Sequence, residues 1–126
     1  MTHASIPVKS LMRWPVATIP GGASVRQCAE ALVSDELGAL AVVENDVLVG
    51  VVSERDVVRQ VATDGDADEV RARDVMSLDP VTVGPDDTAE RAVELMREAA
   101  VRHLPVLDEG DLVGFLSIRD LVGGRC

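Results

Sequence analysis

Apolar and polar positions along this chain of 126 residues run through one programme twice. Pro15 to Pro20 is a short extended piece bounded by prolines, and Gly21-Gly22-Ala23 is a turn. Ser24 with Gln27 three residues on has the form of a capping box and predicts a helix start. Val25, Cys28, Ala29, Leu32 and Val33 follow at helical spacing, and Gly38 fits the stop. Ala39 to Glu44 reads as a buried strand, Asn45-Asp46 as a two-residue turn, and Val47 to Val52 as the return strand of a hairpin. Ser53 opens a second helix that runs to about Ala62, with Val57, Val58 and Val61 on one face.

Thr63 to Glu69 is polar and acidic and reads as a solvated linker. Asp64, Asp66 and Asp68 alternate as in a calcium loop, but the glycine and the closing Glu of such a loop are missing. The pattern then restarts. Arg73-Asp74-Val75-Met76 is a lead-in turn that matches Val8-x-x-Leu11-Met12. Pro80 to Val83 is the extended piece, and Thr88 or Asp87 caps a helix with the stripe Ala89, Val93, Met96 and Ala100. Leu104 to Leu107 and Leu112 to Leu116 flank a turn at Asp108 to Asp111, and Ser117 opens a last helix that Gly123-Gly124 ends.

Ser24 to Asp56 aligns with Thr88 to Asp120 without a gap, 64 positions apart. One residue of slack sits between Pro15 and Ser24. Each half reads strand–helix–strand–strand–helix, and half a domain of about 50 residues buries too little surface to stand alone comfortably. The expected fold is therefore α/β (α+β): two β-α-β-β-α repeats packed sheet to sheet with pseudo-twofold symmetry. The expected division is 8–62 for the first repeat, 63–72 for an acidic linker and 73–122 for the second. Such symmetry also predicts two related clefts between the repeats.

Composition narrows the partners. The formal net charge is −10, which argues against sequence-independent binding to nucleic acid or to an anionic membrane. A small anionic ligand remains compatible, because a pocket can be locally positive. Lys9 is the only lysine among 12 basic residues. Arginine suits bidentate phosphate contacts, although an Arg-rich codon usage explains the bias more simply. Cys28 and Cys126 are the only cysteines, with no Cys-x-x-Cys spacing and no secretory leader, so a cytoplasmic protein is expected. No apolar run approaches the roughly 18–20 residues of a membrane span.

The candidate chemistry lies in Gly50-Val51-Val52-Ser53-Glu54-Arg55-Asp56 and its twin Gly114-Phe115-Leu116-Ser117-Ile118-Arg119-Asp120. Ser-x-x-Asp before an apolar helix is a helix cap by itself. The reciprocal form prefers the longer Glu or Gln at the third helical position, whereas both copies carry Asp. Free amides at a helix start, a hydroxyl and an adjacent Arg55 or Arg119 can hold phosphate, and a carboxylate one turn in can accept two ribose hydroxyls. The set matches a nucleotide better than it matches a cap.

This ordered, repeated set resembles a tandem pair of CBS domains, also called a Bateman module. Asp74-Val75-Met76, Pro80-Val81-Thr82-Val83 and Arg102-His103-Leu104-Pro105-Val106-Leu107-Asp108 also fit that family. The resemblance covers roughly Val8 to Val122 and implies a stand-alone regulatory module sensing AMP, ADP, ATP or S-adenosylmethionine, with no required cofactor. It implies ribose contacts from Asp56 and Asp120, and phosphate or ribose contacts from Ser53 and Ser117. The base would lie near Val81, Thr82 and the strand at Leu104, with phosphates near Arg102 and His103. Gly38, Ala39 and Ala41 stand where the second half has Arg102, His103 and Pro105, so the Asp120 site is expected to be the stronger. Arg102 also reads as a solvated charge, and His103 as a partly buried structural residue.

No catalytic set, Walker loop or metal-ligand spacing is present in the sequence, so an enzyme is not expected. The alternative is an interaction protein with vestigial clefts, and a weak nucleotide hydrolase is the remote third reading. A homodimer is expected, with an unknown protein target. Ala89, Val93 and Met96, or Val25, Cys28 and Leu32, either face the partner or fill the core.

Overall fold

The structure, a computed structural model, describes residues 6–35, 37–63 and 65–123. Two compact units make up the chain. One is Ala17–Pro80. The other joins the segment up to Val16 to everything from Val81 onward.

In the unit Ala17–Pro80 the elements are β1 (Thr18–Ile19), α1 (Val25–Ser34), β2 (Ala39–Glu44), β3 (Val47–Ser53), α2 (Glu54–Ala62), α3 (Ala72–Val75) and β4 (Ser77–Leu78). They form a four-stranded sheet in the order β1-β2-β3-β4, with β1 parallel to β2 and the other pairs antiparallel. Asn45 and Asp46 take φ values of 52° and 63°. Two successive left-handed residues make the tight turn whose twist matches that of the strands. Ile19, Val25, Cys28, Leu32, Leu40, Val42 and Val52 fill the core, with Ala72 buried among them.

The other unit repeats this plan. It contains α4 (Ala89–Ala99), β5 (His103–Asp108), β6 (Asp111–Ser117) and α5 (Ile118–Gly123). β5 and β6 form the hairpin, flanked by Val83 parallel to Val106 and by Arg13 antiparallel to Phe115. Its core gathers Met96, Leu104, Val106 and Leu116 around Val8.

The 64-residue correspondence holds pairing by pairing. Ile19 pairs with Val42 as Val83 does with Val106, and Ser77 pairs with Val51 as Arg13 does with Phe115. Arg13 to Ser77 and Ile19 to Val83 both span 64 positions, so the pairings leave no slack residue between Pro15 and Ser24. Each lead-in segment completes the body of the other repeat. Val8 N–H donates to Asp87 O at 2.8 Å, and Ala89 N–H to Ile6 O at 2.8 Å. Likewise Ala72 N–H donates to Ala23 O at 2.7 Å, and Val25 N–H to Val70 O at 2.9 Å. The first turn of α1 and of α4 thus finds an acceptor in a distant segment, as buried amides require.

Several expectations need correction. The fourth strand of the first sheet, Ser77–Leu78, and the matching bridge at Arg13 follow lead-in segments in which the sequence suggested only a turn. The stripes are narrower than their spacing implied. Val33, Val58 and Val61 are exposed, and Ala92 rather than Ala100 enters the core. α1 ends at Ser34, short of Gly38. The acidic stretch is anchored rather than loose. Arg26 N–H donates to Ala67 O at 2.9 Å, and Arg26 Nε to Asp68 Oδ1 at 2.6 Å, which holds the Asp68 carboxyl below its ordinary value. Asp64 lies outside the described residues. Among the described residues no helix is long and apolar enough to cross a membrane.

Val8 is fully buried although it belongs to a weakly patterned lead-in. Val8→Ala should lower the unfolding free energy by about 1–3 kcal/mol in urea titrations, as for other truncations of buried aliphatic side chains. A change indistinguishable from zero would contradict the packing of this segment into the second unit.

Candidate functional site

The two Ser-x-x-Asp junctions are true reciprocal capping boxes. Ser117 N–H donates to Asp120 Oδ2 at 2.9 Å, and Asp120 N–H donates to Ser117 Oγ at 3.2 Å. Ser53 and Asp56 make the same pair of bonds at 2.8 and 3.2 Å, and the Ser53 hydroxyl also donates to Asp56 Oδ2 at 3.0 Å. The shorter Asp therefore does reach back to the cap amide, contrary to the sequence argument. The amides are not all free either. Ile118 N–H donates to Arg102 O and Glu54 N–H to Gly38 O, each at 2.9 Å. With the third amide of each helix bonded to its serine, little of the helix start remains for phosphate.

What each box leaves is the outer carboxylate oxygen. Asp120 has a side chain 10% exposed, and its Oδ1 accepts from Arg13 Nε at 3.1 Å. Asp56 is 14% exposed, and among the described residues the cation near its Oδ1 is Arg59 Nη1 at 3.9 Å, one turn along the same helix. Arg13 was missed by the sequence reading. Its partner is distant in the chain, and only the one-step extension of the Met12/Met76 match to Arg13/Ser77 points to it.

Topology gathers the remaining expected residues of the second unit at one end of its sheet. β5 begins at His103, which is paired with Ser117 at the end of β6. Val81 and Thr82 lead into Val83, which runs parallel to β5. The His103 ring stacks on Phe115 with centroids 5.9 Å apart and planes inclined by 23°. Val81, Arg102 and Arg119 are exposed and Thr82 is half-buried. In the first unit Ser53 and Asp56 are half-buried and Arg55 is exposed.

A backbone difference separates the units. Ala41 N–H donates to Ala17 O at 3.2 Å. The residue at the place of Ala41 in the second unit is Pro105, which has no N–H to give to Val81 O. The ladder there shrinks to the single pairing at Val83. The repeated glycines have a steric reason. A Cβ at Gly114 would strike the Met12 side chain, and one at Gly50 would come within 2.8 Å of Ser77 O.

The helix faces offered for a dimer resolve into core. Val25, Cys28, Leu32, Ala89 and Met96 are buried within their own units, and Val93 packs against one of these cores. Burial also pushes the Cys28 thiol up, which keeps it protonated and unreactive.

Because the Asp120 carboxylate is a cap before it is anything else, Asp120→Ala should cost about 1–2 kcal/mol of stability without any ligand, read from urea unfolding. No loss of stability would mean that the box carries no fold energy.

Comparisons with known proteins agree with this architecture. A protein-family profile described as CBS domain matches residues 8–63 and 72–124. The chain is 32% identical over 114 residues to the CBS domain-containing protein YhcV of Bacillus subtilis, covering 90% of this chain and 81% of that one. It is similar to the CBS domain protein PAE2072 from Pyrobaculum aerophilum complexed with AMP, at 35% identity and a TM-score of 0.85, covering 91% and 89% of the two chains. It is also similar to CBSX2 in complex with AMP, at 28% identity and a TM-score of 0.79, covering 95% and 96%.

Proposed function

The chain belongs to the CBS domain family of regulatory modules, and on that premise we propose that it senses an adenosine nucleotide. The observation that carries this reading is the duplicated Ser–Asp box with one carboxylate oxygen left over, Oδ1 of Asp120 and of Asp56. A carboxylate fixed by its own helix is pre-organised to accept ribose hydroxyls, and that fixing lowers the cost of binding. The AMP complexes of the similar proteins PAE2072 and CBSX2 support the same ligand class.

In the second unit Asp120 takes the ribose and Ser117 lies beside it. Val81 and Thr82 present main chain to the base, with Val81 O spared from Pro105. Arg102 and Arg119 supply positive charge toward phosphate, and His103 adds a ring N–H donor. In the first unit Ser53, Arg55 and Asp56 form the weaker counterpart, because Gly38 and Ala39 bring no cation. AMP, ADP and ATP fit this set, and S-adenosylmethionine is the further ligand to compare. These side chains bind rather than react, so no catalytic role is assigned. The output is a change of conformation or oligomeric state read by a protein target.

A second reading, an interaction protein that dimerises without a ligand, has one observation in its favour. Val33 on α1 and Val58 and Val61 on α2 are 78%, 65% and 61% exposed. A second copy of the chain would cover this face, and light scattering with and without AMP separates the two readings.

Calorimetric titration with AMP, ADP, ATP and S-adenosylmethionine tests the main one. Losing a charged hydrogen bond costs about 1.5–3 kcal/mol, so Asp120→Asn should weaken binding roughly 10- to 150-fold. Asp56→Asn should affect only the weaker site. Unchanged affinity in both variants would sink the ribose assignment.

A further inference from the structure

The lead-in of the first repeat carries an unassigned cation into the second unit. The Arg13 main chain is locked to Phe115, donating to its carbonyl at 2.8 Å and accepting from its amide at 3.0 Å. Its side chain is 56% exposed, yet it ends on the nearly buried Asp120. Asp120 Oδ2 is spent on Ser117, so the oxygen left for a ribose is the one that Arg13 holds. Ser77 occupies the same register position in the first unit, paired with Val51. Among the described residues Asp56 has no equivalent of Arg13, only Arg59 of its own helix.

We propose that Arg13 is a specificity-determining residue that makes the Asp120 site select phosphorylated nucleosides over unphosphorylated ones. The proposal rests on the nucleotide reading of that site. Ribose hydroxyls and the guanidinium compete for the same lone pairs of Asp120 Oδ1. A nucleoside that takes them leaves Arg13 without its anion. A nucleotide brings a replacement, because its phosphate can accept two parallel N–H bonds from the guanidinium fork. Arginine has five N–H donors, and the bond to Asp120 uses only Nε, so the fork is able to engage phosphate as the carboxylate is released. A serine can make no such exchange, so the Asp56 site lacks this discrimination.

The test titrates the full chain, wild type, Arg13→Ser and Arg13→Gln, with AMP and with adenosine by calorimetry. Arg13→Ser installs the residue that the first unit carries at this register position, and Arg13→Gln keeps much of the side-chain length without its charge. Circular dichroism verifies that each variant is folded. In both variants AMP affinity should fall about tenfold or more while adenosine binds unchanged or tighter. Arg13→Lys, which keeps a point charge, should retain part of the preference. Equal weakening of both ligands, or an unmoved AMP-to-adenosine ratio, would overturn the assignment of Arg13 alone. A wild-type chain that binds neither compound would overturn the nucleotide reading and the role of Arg13 with it.

Discussion

Every other feature of this chain depends on an exchange of lead-in segments. Neither repeat closes its own sheet or satisfies the first amide of its own long helix. Ile6 to Arg13 does this for the second repeat, and Val70 to Leu78 for the first. The physical demand is ordinary: buried N–H groups need acceptors, and a sheet edge needs a partner. The consequence is that a sequence repeat and a packing unit are different objects. Val8 and Ala72 are each fully buried in a core whose other members come from the opposite repeat. Gly50 and Gly114 follow from the same constraint, because the crossing methionines leave no room for a Cβ.

The candidate site is built from groups that also hold the fold. A caps-only reading accounts for Oδ2 of Asp56 and Asp120, and a binding-only reading accounts for neither capping bond. The geometry divides each carboxylate, with the inner oxygen in the box and the outer one toward a cation. Under the proposed nucleotide reading, stability and affinity would respond to the same residues. The box fixes the carboxylate's orientation, and that stiffness would then serve recognition.

Much of this was legible in the residues. Asn45-Asp46 announced a two-residue turn, and the structure has it with both φ values positive. Ser24 and Gln27 announced a capping box that is present with both bonds. The 64-residue period survives down to individual strand pairings. The failures share a cause, which is that local pattern does not report distant partners. Val58 and Val61 sit at spacings that suit a core, but among the described residues both stay exposed. Ser77–Leu78 is too short and too polar to show as a strand, and it pairs only because β3 lies alongside. Arg13 drew no attention, since its carboxylate partner lies 107 positions along the chain. Arg102 and His103 in place of Gly38 and Ala39 led to the expectation of unequal sites, and Arg13 against Ser77 is a further difference between the two units.

In the proposed reading, a segment of the first repeat and the helix start of the second form one nucleotide site. Backbone amide NMR during titration with AMP would show it. The earliest shifts should appear together at Arg13, at Val81 and Thr82, and at Ser117 to Asp120, with Ser53 to Asp56 responding only at higher concentration. Shifts confined to Ser53 to Asp56, or shifts at Ser117 to Asp120 with Arg13 silent throughout, would contradict it.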